Sequence, residues 1–356
     1  MDYKQKLNDL LLTAARQNAS DLHLAVGRHP IIRIDGNLIP LENEEILTPD
    51  VAEKLINELL TPEQQKLLKE QKEIDFAYQY EDKARFRVNV FYQRGYLAAA
   101  LRLIMAQIKT IEELSLPPIL HDFTKISQGF VLLVGPAGHG KSTTLAALVD
   151  EINHTRSEHI ITIEDPVEYS FTQDRSVVSQ REVKIDSLDF HTALKSLLRQ
   201  DPDVVMIGEM RDPESISTAI TAAETGHLVF STLHTNSASQ TIDRIIDSFP
   251  AEQQTQIASQ LSATLVGIVS ERLIPKIDGG RIPACEIMIT NSAIRNLIRE
   301  RKTYQIDLVI ETSMQEGMMT LNRSLAMLVK SNQISLEEAE LYSMNPAELR
   351  ILLERN

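Results

Sequence analysis

Eight residues, Gly135-Pro136-Ala137-Gly138-His139-Gly140-Lys141-Ser142, limit most strongly what this chain can fold into. Gly135 and Gly140 bracket four residues and are followed by Lys and Ser, the spacing of a loop that cradles phosphates. Residues 129–134, Gly-Phe-Val-Leu-Leu-Val, form a short apolar run of the kind that makes a buried parallel strand. From Thr143 the chain reads as the first turns of a helix. Strand, glycine loop and helix N-terminus together make an anion site, because backbone N–H groups and the helix dipole converge there. On this reading the stretch from Gly135 to Thr143 binds a nucleoside triphosphate such as ATP. Lys141 reaches the outer phosphates and the Ser142 hydroxyl holds Mg²⁺. His139 fills a position the pattern leaves open and is given no role of its own.

A chain of 356 residues exceeds what one hydrophobic core usually serves, so about two domains are expected. Residues 1–105 read as a small α+β domain. Leu7, Leu10, Leu11 and Ala14 fall at helical spacing, residues 20–24 alternate as a strand does, and Asp35-Gly36 suits a hairpin turn. Thr48-Pro49 and Thr61-Pro62 each open a helix. Three antiparallel strands follow, over residues 74–80, 85–93 and 96–104. Residues 106–118, ending in Pro117-Pro118, read as a linker. From residue 119 to 356 the pattern becomes α/β. Apolar runs at 160–163, 204–207 and 228–231 alternate with helical patterns at 188–199, 213–225, 239–248 and 251–271, as in parallel βαβ units. The part beyond about residue 290 reads as mostly helical.

Each apolar run is followed at once by polar or acidic residues, and ligands of open α/β sheets bind at the carboxyl ends of the strands. Glu209 follows four apolar residues and Gly208, where a second nucleotide motif belongs. There it would hold Mg²⁺ directly or through water, the alternative being a cap for the helix beginning near Pro213. Glu164 is the candidate for orienting the attacking water, the alternative being a loop acid. His227 and His234 bracket the run 228–231. A histidine there can bond a γ-phosphate oxygen, although spacing alone favours an ordinary hydrogen-bonded role for both. Arg199 precedes Asp201-Pro202-Asp203, and Arg87, Arg94 and Arg102 lie on the expected strands before the linker. An arginine delivered by a neighbouring subunit can speed hydrolysis ~10³–10⁵-fold. Sequence alone favours surface arginines.

The 36 basic and 50 acidic side chains give a net charge of −14, which disfavours nucleic acid as a partner. Cys285 stands alone, so neither an internal disulfide nor a multi-cysteine zinc site forms, in keeping with a reducing cytoplasm. No long apolar stretch spans a membrane, and the first nine residues lack the apolar core of a signal peptide.

Asp21-Leu22-His23-Leu24, the acidic box Ile163-Glu164-Asp165-Pro166-Val167-Glu168, Gly208-Glu209-Met210-Arg211-Asp212, and the histidine box from Gly226 to Asn236 carry a resemblance. Together they resemble the secretion-type ATPases of bacterial type IV pilus systems, over essentially the whole chain. Ala293-Ile294-Arg295-Asn296-Leu297-Ile298-Arg299-Glu300 matches a signature of the pilus-retraction, or twitching-motility, members. The single cysteine and the near-immediate start of the first domain differ from assembly and secretion members, which carry a four-cysteine insertion and an added N-terminal domain. The resemblance implies a PAS-like first domain, a RecA-like second domain and a homohexameric ring. Nucleotide would bind between the two domains and near the neighbouring subunit, and the linker would be the hinge. It further implies catalytic roles for Glu164, Glu209, His227 and His234, and phosphate contacts by Arg87, Arg102 and Arg199. The expected setting is the cytoplasmic face of the inner membrane, in peripheral association with a pilus platform protein. Ala137 and His139 replace the Thr and Ser more usual in relatives. A pilus-assembly or type II secretion ATPase, a RecA-like DNA-binding motor and a regulatory nucleotide-binding module remain the alternatives.

Overall fold

The computed structural model describes residues 2–17, 19–34, 36–80, 84–104 and 108–354. Asp35 of the expected Asp-Gly turn and residues 105–107, at the junction with the expected linker, lie outside them. The chain divides into two compact units, residues 1–107 with 168–170 and residues 108–167 with 171–356.

Among the described residues the first unit carries strands β1 (Asp21–Leu24), β2 (Ile31–Ile34), β3 (Asn37–Pro40), β4 (Glu73–Tyr80), β5 (Ala84–Gln93) and β6 (Tyr96–Ile104). They pair antiparallel in the order β3-β2-β1-β6-β5-β4. Alternation sorts the faces. Leu22, Leu24, Phe86, Val88, Val90, Ala99 and Leu101 point into one core with Leu7, Leu10, Leu11, Leu55, Ile56 and Leu68 of the helices. Pro49 and Pro62 open their helices, where a missing N–H costs nothing, and the Thr48 and Thr61 side chains cap them. Arg94 and Gly95 both adopt positive φ in the tight turn between β5 and β6, so Arg94 belongs to a turn rather than a strand.

The second unit holds β7 (Gly129–Val134), β8 (His159–Glu164), β9 (Val177–Glu182), β10 (Val204–Ile207), β11 (Leu228–Leu233), β12 (Leu265–Pro275) and β13 (Arg281–Ile289). Their order is β13-β12-β7-β11-β10-β8-β9. Only the β12–β13 contact is antiparallel among the described pairs. β7, β10 and β11 are buried along their whole length, as strands covered on both faces must be. The residues beyond residue 107 begin within this unit, with Ile111 and Leu116 buried.

The largest departure from the sequence reading falls at residues 251–271. The helix ends at Thr264, and Leu265–Pro275 is a strand beside β7. The β-branched Val266, Ile268 and Val269 favour a pleated surface over continued helix. Gly267 is required there, because a Cβ would strike the Phe123 ring. β9 and β13 were likewise not anticipated. β9 is polar along much of its length, and β13 carries Pro283, which ordinarily argues against an interior strand.

Candidate active site

Parallel register decides which side chains meet. Ile163 lies opposite Ile207, Ile207 opposite Ser231, Leu233 opposite Val134, and Val134 opposite Ser270. The residues that follow, Glu164, Gly208-Glu209, His234, Gly135 and Glu271, therefore emerge along one rim of the sheet. This is the carboxyl rim, where α/β sheets bind ligands.

The phosphate loop joins β7 to the helix Lys141–Thr155. Gly135, Gly138 and Gly140 have φ of 144°, 77° and 96°, a region open chiefly to glycine. Gly140 is the N-cap and no side chain caps the helix, leaving its positive end facing the loop. Lys141 is buried, and its ammonium donates to the Gly135 and Pro136 carbonyls at 2.9 and 2.8 Å. That cation, folded into a concave run of glycines at a helix N-terminus, fits a polyphosphate. Ser142 is exposed in the first helical turn and Thr143 half-buried.

Lys141 is also the first member of a polar chain along the rim. Its Nζ lies 3.4 Å from His234 Nδ1, and His234 Nε2 lies 3.0 Å from Glu209 Oε2. An ammonium can only donate, so Nδ1 accepts and Nε2–H donates to Glu209. Burial first, then the Lys141 and Arg211 charges, hold the imidazole below its ordinary pKa of 6.5, which matches that neutral tautomer. Glu209 Oε1 pairs with Arg211 Nε, and Arg211 Nη1 reaches Asp165 Oδ2 at 3.8 Å. Glu164 is buried. Its Oε1 accepts from Thr162 Oγ1 at 2.6 Å and from Gln180 Nε2 at 3.1 Å, so the carboxylate is fixed in direction.

The oxygens of Ser142 and Glu209 are the kind of donors Mg²⁺ accepts, since that ion keeps most of its waters and takes only one or two protein ligands besides phosphates. They suit the ion without a ready-made cage.

Two expected members are not gathered here. His227 precedes β11 whereas His234 follows it, and a strand of that length holds them about 20 Å apart. Its Nδ1 instead bonds the Ala222 carbonyl at 2.8 Å. Arg199 is exposed before β10, also at the amino rim. In both cases the reason is strand direction: in a parallel sheet the two ends of a strand serve opposite rims. Arg87 and Arg102 belong to the first unit, directly opposite one another on β5 and β6. Arg102 Nε donates to Asp21 Oδ1 at 3.0 Å, and Arg33 stands opposite Asp21 in the same row. Arg87 Nε lies 3.9 Å from Asp75.

The sequence reading missed the supports of the site. Asp165, Arg211, Thr162 and Gln180 hold the named acids. Ser270, Glu271, Arg272 and Leu273 of β12 hold the loops. Ser270 Oγ and Arg272 bond Asn236 of the histidine box. Glu271 Oε2 accepts from Thr144 Oγ1 at 2.7 Å. Leu273 N donates to His139 Nδ1 at 3.0 Å. His139 thus tethers the tip of the phosphate loop to β12, and its ring meets Tyr342 edge-on at 6.3 Å. The β-branched run before Ser270 was the available signal. At the C-terminus, the helix Ser292–Arg299 is capped by Asn291 and buries Ile294 and Ile298, with Arg295 and Arg299 exposed. None of the helices among the described residues is long and apolar enough to cross a membrane.

Comparison with known proteins places this arrangement among relatives. The family described as type II/IV secretion system protein matches residues 3–344. A Pseudomonas aeruginosa protein named type IV pilus retractation ATPase PilT is 47% identical over 338 residues, covering 94% of this chain and 96% of the relative. The Neisseria gonorrhoeae twitching motility protein is 43% identical over 317 residues, covering 89% and 84%. The crystal structure of the pilus retraction motor PilT with bound ADP superimposes with a TM-score of 0.90 at 47% identity, covering 97% of this chain and 98% of that one.

Proposed function

The chain belongs to the type II/IV secretion system protein family, and from that premise we propose that it is an ATPase whose turnover drives retraction of a type IV pilus. The supporting observation is the chain of contacts Lys141–His234–Glu209, which joins the phosphate loop to two other strand ends on one rim.

In this proposal the residues from Gly135 to Thr143 hold the triphosphate, and Lys141 turns from the Gly135 and Pro136 carbonyls toward the outer phosphates. Glu164, fixed by Thr162 and Gln180, orients the attacking water. Positioning of this kind is most of what phosphoryl transfer asks of a protein. His234 loses its Lys141 contact as the lysine turns, and its Nε2–H, otherwise given to Glu209, becomes the donor to a γ-phosphate oxygen. Ser142 and Glu209 hold Mg²⁺, which when bound neutralises charge developing on the phosphate oxygens. Arg87 and Arg102 contribute phosphate contacts from the first unit of the same or a neighbouring subunit. His227 and Arg199 act away from the phosphates.

The working form is a homohexamer at the cytoplasmic face of the inner membrane, acting on a platform protein of the pilus machine. The first domain is PAS-like and residues 106–118 are the hinge. Loss of the γ-phosphate releases one side of a two-state contact, which is how nucleotide hydrolysis is converted to movement. The exposed Arg295 and Arg299 face of the helix Ser292–Arg299 couples that movement to retraction.

Two measurements test the proposal. Glu209→Ala should lower ATP turnover by about 10²–10³-fold, and near-normal phosphate release would refute its role. A strain lacking the protein should keep surface pili that do not retract. Loss of pili would instead assign the chain to assembly.

A further inference from the structure

Glu271 lies directly beneath the phosphate loop, and the proposed hydrolysis does not use it. It is 2% exposed, on β12 beside the loop-bearing strand β7. Three contacts join it to the loop and to the helix that follows. Its Oε2 accepts from Thr144 Oγ1 at 2.7 Å. Its Oε1 fills the space where a Cβ of residue 140 would stand, and its backbone carbonyl does the same at residue 135. The glycines of the cradle are therefore required partly because Glu271 occupies their side-chain space. The groups facing it are Lys141 and Thr144 from the helix and the Cys285 thiol from β13, paired directly opposite. Lys141 is the cation among them, and it is the group that must turn toward arriving phosphates.

This inference rests on the nucleotide-binding reading of the site. Nucleotide phosphates bring several negative charges to within a residue or two of a carboxylate sealed from water, while diverting its cation. A buried carboxyl answers such a change by taking a proton, because burial penalises only its charged form. We propose that Glu271 is a positioning residue of the phosphate loop that takes a proton from solvent when nucleotide phosphates enter and returns it to solvent when they leave. Nucleotide exchange in this protein is then coupled to proton exchange. Burial already raises this carboxyl from 4.5 to about 7, opposed by the Thr144 hydrogen bond and the Lys141 charge, so the change falls near neutral pH. The sign follows: a ligand that raises a group's pKa binds with proton uptake, so ADP affinity falls as pH rises through and above that range.

The test is calorimetric titration of full-length protein with ADP between about pH 7 and 8, in two buffers of different ionisation enthalpy, which counts protons per ADP bound. Wild type and Glu271→Gln are compared, so that titration of ADP itself cancels. The amide oxygen of the variant can still accept from Thr144. Wild type should take up an extra fraction of a proton, and its log Kd should rise more steeply with pH than the variant's, by up to about one unit per pH unit. Equal proton counts and equal slopes overturn the inference. Thr144→Val is the second variant and decides the matter if Glu271→Gln fails to fold. Losing the donor to the anion should move the uptake to higher pH, and an unmoved profile overturns the inference. Failure of ADP to bind wild type would instead sink the nucleotide reading, and this inference with it.

Discussion

The ammonium of Lys141 lies 3.4 Å from Nδ1 of His234, although 93 residues separate them in sequence. Lys141 opens the helix that the phosphate loop joins to β7, His234 follows β11, and the two meet because these adjacent parallel strands hold Val134 and Leu233 in register. Lys141→Ala should abolish measurable ADP binding. His234→Ala should leave binding within a few-fold and lower kcat by ~10²-fold, the usual loss when one preorganised donor is removed. Equilibrium binding and steady-state turnover separate the two, and normal kcat for His234→Ala would remove it from the mechanism.

His227 should behave differently. Its Nδ1 bonds the Ala222 carbonyl at the other rim, so His227→Ala removes a structural contact. The expected loss is about 1 kcal/mol of stability, read as a lower Tm, with kcat reduced far less than in His234→Ala. Equal kcat losses for both variants would contradict the division of roles by strand direction.

Glu164→Gln keeps the size and the fixed direction of the side chain but not its negative charge. With Thr162 and Gln180 still present to hold it, KM should change little while kcat falls ~10²–10⁴-fold. A rise in KM with kcat intact would show that Glu164 acts in binding rather than in activating water.

Stability should depend on pH through Glu271. Its folded value of about 7 lies above the ordinary 4.5, so between these limits the folded state binds more protons than the unfolded one. Wild type should therefore lose stability relative to Glu271→Gln as pH rises through that window, at up to roughly 1.4 kcal/mol per pH unit. Above it the difference should be constant. Denaturant midpoints at a series of pH values check this, and parallel curves would mean that the carboxyl titrates normally.

What could be read from the chain and what could not divides along physical lines. The phosphate loop was legible because its demands are local: glycines for positive φ, then Lys and Ser at fixed spacing. The rim acids Glu164 and Glu209 were legible because buried strands are short apolar runs with abrupt polar ends. Glu271 was not, since its strand begins at Leu265 directly after a helix that ends at Thr264, with no turn between them, and the residue was assigned to that helix. For His227, spacing alone pointed to an ordinary hydrogen-bonded role, as its bond to the Ala222 carbonyl has it, and the catalytic role came from the resemblance. Arg87 and Arg102 were recognised on strands, but their pairing row with Asp21 and Arg33 depends on register between strands distant in sequence.

The one cysteine of this chain, Cys285, is wholly enclosed, and burial raises its thiol well above the usual range, keeping it protonated and unreactive. The protein is thus a natural blank for thiol labelling. A cysteine introduced at exposed Arg199, on the side of the sheet away from the phosphate loop, would be the one site open to a maleimide dye, giving a single fluorescent reporter per chain without first removing a native thiol.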